Sequence, residues 1–72
     1  MLKGKKNILI LNGSKYIYDS TFTVLELIRY LGFNQNVIVI DYNGMVLEQS
    51  QWQQTHVNNQ DSLEILSIAG GG

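Results

Sequence analysis

These 72 residues contain no cysteine, no proline and only one histidine. Without cysteine, neither a disulfide nor a thiolate metal site can hold the chain together. His56 has no second imidazole with which to share a metal. No apolar run approaches the roughly 20 residues that a membrane span requires. The basic start "MLKGKKNILILNGSK" leads into only a short apolar run, with no small-residue cleavage site after it. The chain therefore reads as a mature, soluble, intracellular protein. Charge is scarce as well. Six acids against five bases leave a formal charge of −1, which supplies no field for drawing in nucleic acid. Lys3, Lys5 and Lys6 read as a solvated N-terminal flank, neither an RNA contact nor a membrane contact. Stability has to come from one compact apolar core, and the 44% hydrophobic content permits one. Seven Asn, eight Ile and four Lys against one Ala match the usage of an A+T-rich genome, plastid or bacterial.

What is present reads as short strands around one helix. "NILILNGSKYIYD" (7–19) is a hairpin, Asn7 to Leu11 and Lys15 to Tyr18. Its Asn12-Gly13 corner suits the two positive φ values of a type I′ turn. In "STFTVLELIRYLGF" (20–33), Thr23 and Glu26 have the spacing of a capping box, and Phe22 and Leu27 that of a hydrophobic staple. Val24, Leu27, Ile28 and Leu31 make one buried stripe, and Gly32 stands where a left-handed C-terminal cap is wanted. "NVIVIDYNGMVLE" (36–48) gives a third strand, a turn at Asn43-Gly44 and a short fourth strand, Met45 to Leu47. Its unbroken run Val37 to Ile40 is the pattern of a strand buried on both faces. "QSQWQQTH" (49–56) has no clean period, so one helical turn around Trp52 or a plain loop is expected, with Trp52 covering the core. Asn58, Asn59 and Asp61 supply turn chemistry. "SLEILSI" (62–68) is a last strand, with Leu63 and Ile65 on one face and Glu64, Leu66 and Ile68 on the other. The order β-β-α-β-β-β predicts an α+β fold in which one helix lies across a mixed sheet.

As an enzyme the chain is poorly equipped. Its acids are scattered, His56 reads as an exposed loop residue, and no nucleophile motif supports it. Asn12-Gly13-Ser14-Lys15 lacks the leading glycine and the following helix of a phosphate loop. Attention passes to Gly70-Gly71-Gly72. Glycines can thread a channel too narrow for any side chain, and a terminal carboxylate without a Cβ is open to attack on a nucleotide α-phosphate. The alternative is an ordinary frayed terminus. The strand just before the glycines favours a working tail, because a rigid body can position the carboxylate in a partner's active site. If Leu63 and Ile65 are core, Leu66 and Ile68 are exposed apolar residues beside the tail and form a docking surface. The competing arrangement packs Leu66 under the loop around Trp52.

The chain resembles the ubiquitin-like β-grasp proteins, and among them the ThiS-type sulfur carriers of thiamin biosynthesis. The likeness spans nearly the whole chain: "ILILNG", "TVLELI", "YNGMVL", Trp52 and "QDSLEILSIAGGG" occur in the family's order. Two departures stand out. Glu48-Gln49 replaces the family's usual Pro-Arg, which puts an Arg-dependent partner contact in question, and Gln60 stands where a Gly usually precedes the Asp. The resemblance implies a β-grasp domain over 1–69, a flexible tail over 70–72, and a protein co-substrate, not an enzyme. Gly72 would be adenylated by a ThiF-like adenylyltransferase using Mg-ATP, with no cofactor bound by the carrier itself. Sulfur derived from a cysteine desulfurase would make the thiocarboxylate, and a ThiG-like thiazole synthase would accept it. Gly70 and Gly71 would be the threading arm, and Leu66 and Ile68 the partner contacts. The free protein is expected to be a monomer in the cytoplasm, or in the plastid stroma if plastid-encoded. A molybdopterin synthase small subunit and a ubiquitin-like protein modifier share the fold and the tail, and both remain alternatives.

Overall fold

In the computed structural model, which describes residues 6–68, five strands form one mixed sheet with a single helix packed on one face. Strands β1 (Asn7–Leu11) and β2 (Ser14–Tyr18) make the expected hairpin, with Asn12 at φ 50° and Gly13 at φ 85°. Strands β3 (Ile38–Tyr42) and β4 (Met45–Leu47) repeat the device at Asn43 (φ 52°) and Gly44 (φ 91°). The last strand, β5 (Asp61–Ser67), enters the middle of the sheet, whose order is β2-β1-β5-β3-β4. It runs parallel to β1, with Leu9 opposite Asp61 and Leu11 opposite Leu63. It runs antiparallel to β3, with Ile38 opposite Ser67 and Ile40 opposite Ile65.

Helix α1 (Val24–Leu31) begins with the capping box. The Thr23 hydroxyl accepts from the Glu26 N–H at 3.1 Å, and the Glu26 carboxylate accepts from the Thr23 N–H at 2.9 Å. It ends at Gly32 in the left-handed region, whose N–H donates back to the Ile28 and Arg29 carbonyls. Its Val24, Leu27 and Ile28 meet Leu9, Ile38, Ile40, Leu63 and Ile65 from the sheet, and Trp52 and Val57 close the side. Trp52 is 2% exposed, and its indole N–H donates to the Leu47 carbonyl at 3.0 Å, so it covers the core as expected. The segment before it forms a short 3-10 turn, Gln49–Gln51, and a second such turn, Gln35–Val37, leads into β3.

Two expectations are overturned. Leu31 does not join the buried stripe of α1: as the helix's last residue it is 39% exposed and lines the groove beside β2. Strand β3 is not buried on both faces: Ile38 and Ile40 are core, while Val39 and Asp41 lie half-buried on the side away from the helix. Among the described residues α1 covers one face of the sheet, so an unbroken apolar run here marks a core face and an apolar outer face together. His56 is exposed, as expected, and the strand-like bridge between Thr23 and His56 ties its segment to the start of α1.

Candidate functional site

The end of β5 is built from the middle of the sheet outward. Leu63 and Ile65 point into the core and pin the strand. The alternate positions face the open side, where Leu66 is 52% and Ile68 46% exposed. Leu66 therefore does not pack under the Trp52 loop, whose indole sits in the core on the helix side. Val39 stands directly opposite Leu66, and Val46 of β4 is exposed on the same face, paired across from Asp41. Asp41 faces Glu64 across the β3–β5 ladder, putting two carboxylates beside this apolar strip. The Asp41 Oδ1 accepts from the Gly44 N–H at 2.8 Å, which draws that carboxylate into the β3–β4 turn.

Two asparagines hold β5 in place. Where β1 turns away after Leu11, the Asn12 side chain takes over the role of a strand carbonyl: its Oδ1 accepts from the Ile65 N–H at 2.7 Å, and its own N–H donates to the Leu63 carbonyl at 2.9 Å. Where β3 turns, Asn43 Oδ1 accepts from the Ser62 N–H at 2.7 Å, and the Asn43 N–H donates to the Ser62 carbonyl at 2.8 Å. The Asn-Gly corners thus do more than set turns, since their side chains extend both ladders on β5. At the far end the Ile68 N–H donates to the Val37 carbonyl at 2.8 Å, so the backbone is tied to the sheet through residue 68. The tail residues Gly70, Gly71 and Gly72, and position 69 of the expected 1–69 domain, lie outside the described residues.

The start of β5 is fastened by a polar cluster that sequence reasoning treated only as a turn. Asp61 is 8% exposed. Its carboxylate accepts from the Tyr42 hydroxyl at 2.6 Å, the Asn58 N–H at 2.7 Å and the Asn43 side-chain amide at 3.1 Å. Burial, the hydrogen bond to Asp61 and the nearby negative charge push the Tyr42 phenol up to about 12. Burial, and to a lesser degree the Asp61 charge, also raises the Tyr18 phenol above its ordinary value. Among the described residues no group of three metal-ligating side chains gathers, and no helix is long and apolar enough to cross a membrane. The signal for the cluster in the sequence is Asn43 just after β3 and Asp61 at the start of β5. Sequence spacing hides it, because 18 residues separate the two.

One helix packed on a mixed five-stranded sheet in this strand order is the β-grasp fold of the ubiquitin-like proteins. The chain belongs to the ThiS family, the ubiquitin-like sulfur carriers of thiamin biosynthesis, whose sequence model matches residues 9–72. The proteins of this family are small sulfur carriers, not catalysts. The crystal structure of the thiamine biosynthesis protein ThiS from Geobacter metallireducens superposes with a TM-score of 0.77 at 32% identity, covering 90% of this chain and 99% of that one. An uncharacterized protein ycf40 of Porphyra purpurea is 37% identical over 68 residues, 93% of this chain and 96% of its own length. Another ycf40 protein, from Trieres chinensis, is 32% identical over 62 residues, covering 86% of this chain and 85% of its own. A thiazole synthase of Paramagnetospirillum magneticum is 31% identical over 64 residues, which are 89% of this chain but only 20% of that protein.

Proposed function

We infer that this protein carries sulfur as a thiocarboxylate on Gly72 for assembly of the thiazole ring of thiamin. The observation that carries this reading is the reach of the family match, from Leu9 to Gly72 with the three glycines included. A carboxylate is inert toward sulfur nucleophiles until it gains a leaving group. A ThiF-like adenylyltransferase would supply one from Mg-ATP: a Gly72 carboxylate oxygen attacks the α-phosphorus and pyrophosphate departs. The terminal sulfur of a cysteine desulfurase-derived persulfide then attacks the acyl carbon and AMP departs. A thiol then attacks the donor-side sulfur of the resulting acyl disulfide, forming a new disulfide with the donor and releasing the thiocarboxylate. Throughout, the carrier contributes position and no acid–base group.

The described structure supports the docking half of this reading. Exposed Leu66 and Ile68 on the strand that leads to the tail, with half-buried Val39 and exposed Val46 on the neighbouring strands, form an apolar strip, the kind of surface a partner covers. Thiazole synthase is the expected acceptor. In its support, one protein of that name contains a stretch similar to 89% of this chain. The ycf40 relatives carry a plastid-genome designation, and with the A+T-type composition they support the plastid stroma as the site of action.

Mass spectrometry after incubation with a ThiF-type enzyme, Mg-ATP and a persulfide donor tests the chemistry. The expected product is one oxygen-to-sulfur exchange confined to Gly72. Absence of both adenylate and thiocarboxylate would refute the reading. Reconstitution with thiazole synthase separates it from the molybdopterin alternative, and a search for lysine conjugates separates it from the modifier alternative.

A further inference from the structure

The opposite end of the sheet carries a second surface that the sulfur-carrier reading does not use. Strand β2 is the sheet's first edge, and among the described residues no strand covers its outer side. The hairpin register gives the direction of its main-chain groups. In a two-residue hairpin the residues flanking the turn, Leu11 and Ser14, exchange hydrogen bonds, and the pattern alternates from there. Ser14, Tyr16 and Tyr18 therefore bond to β1, and the N–H and C=O groups of Lys15 and Ile17 point outward. Such an edge is a template for another extended strand. Beside it, between β2 and α1, runs a groove of about 810 Å³ lined by Tyr16, Tyr18, Phe22, Leu27, Tyr30 and Leu31, among others. Tyr30 is 86% and Tyr16 53% exposed, so both present aromatic surface at the groove.

The charges on β2 choose between possible occupants. Lys15 is the strand's only charged residue, and it lies with Ile17 on the face away from the helix. Pairing β2 antiparallel with its copy, centred on Tyr16, would place Lys15 opposite Ile17 and leave the two lysines diagonal neighbours with no acid between them. A Lys on an edge in this way works against self-pairing. A strand with an acidic residue opposite Lys15 meets no such penalty.

We propose that the β2 edge and the adjoining β2–α1 groove bind an extended segment of a partner protein. That segment has apolar residues at alternate positions, which enter the groove, and an acidic residue on its other face opposite Lys15. Recognition is by strand addition: main-chain bonds to Lys15 and Ile17 hold the segment and the groove selects its side chains. Strand β1 separates this edge from β5, and the groove lies on the helix side while Leu66 and Ile68 face the open side, so the segment binds while the C-terminal strand remains accessible.

The test is an NMR titration of the ¹⁵N-labelled chain with a short capped peptide alternating valine and aspartate. The Lys15 and Ile17 amides should shift and become protected from exchange, with accompanying shifts in Leu27, Tyr30 and Leu31. Tyr30→Ala, at a position too exposed to matter for folding, should weaken binding roughly tenfold. Lys15→Glu should move the preference to a valine–lysine peptide. The proposal is overturned if millimolar peptide leaves the β2 amides unmoved, or if its shifts map to Val39 and Leu66 instead. It is overturned equally if Lys15→Glu leaves the charge preference unchanged, or if the Lys15 and Ile17 amides respond to protein concentration alone, which would make the occupant a second copy.

Discussion

Replacing Asp61 by alanine should bring this domain close to unfolding. The Asp61 carboxylate is almost fully buried and accepts from Tyr42, Asn58 and Asn43. A hydrogen bond to a charged acceptor is worth about 1.5–3 kcal/mol, and a buried donor left without a partner costs about 1–3 kcal/mol. The Tyr42 hydroxyl is only partly buried and can turn to water, so its loss counts for less. The Asn58 N–H sits in the turn that sets the entry of β5 and has no such freedom. Together these give a loss of roughly 3–5 kcal/mol, against a total stability of roughly 4–11 kcal/mol for a domain of this length. Asp61→Asn keeps the shape and one acceptor oxygen and should lose about half as much. Urea unfolding followed through the fluorescence of buried Trp52 measures both variants, and Tyr42→Phe with the double variant isolates the Tyr42–Asp61 coupling. A loss below about 1 kcal/mol in Asp61→Ala, with an unchanged m-value, would refute the assignment of Asp61 as the fastening of β5.

Four further outcomes follow from the same contacts. The Tyr42 phenol is held neutral up to about pH 12 in the fold and ionises near 10 when unfolded. Its contribution, about 2 kcal/mol after allowance for partial exposure, is therefore intact below pH 10 and lost as pH rises from 10 to 12. Urea midpoints across that window should fall in the native protein and fall less in Tyr42→Phe. Gln60 occupies the left-handed region at φ 71°, where a side chain is strained, so Gln60→Gly should raise stability by about 0.5 kcal/mol in the same assay. Leu66→Asp should leave the circular dichroism unchanged and cost about 1 kcal/mol in unfolding, because the position is half-exposed, yet reduce thiazole synthase-dependent turnover at least tenfold, chiefly through a higher KM for the carrier. Deleting Gly72 should abolish adenylation without altering stability, and a truncated chain that is still sulfurated would move the reactive group elsewhere.

Much of this was legible along the chain because the signals are local. The capping box of Thr23 and Glu26, the Gly32 cap and the two Asn-Gly corners each depend on neighbours within a few residues, and all are present. The alternation of "SLEILSI" was enough to put Leu63 and Ile65 in the core and Leu66 and Ile68 outside, since a strand's side chains alternate whatever its partners. The departure of Gln60 from glycine also had a readable consequence, confined to one strained turn position.

The rest awaited the tertiary structure. That Val39 lies on an outer face, opposite Leu66, could not be read from an unbroken apolar run, because the run carries no mark of how many layers cover the sheet. Asn12 and Asn43 look like turn residues in sequence, and only the insertion of β5 between β1 and β3 reveals their side chains as rungs of its ladders. The burial of Asp61 has the same origin: its partners Tyr42 and Asn43 come from the end of β3, with β4 and a 3-10 turn between them in the chain. The sequence by itself determined which segments are strands and helix, which side chains of the last strand face out, and the glycines that follow it. The tertiary structure decided which strands are neighbours, and with that the outer surface around Leu66 and the open edge at β2. The physical reason is range: turns, caps and alternation are governed by adjacent residues, whereas sheet order is set by which arrangement buries the single apolar layer under α1 while bonding every interior strand.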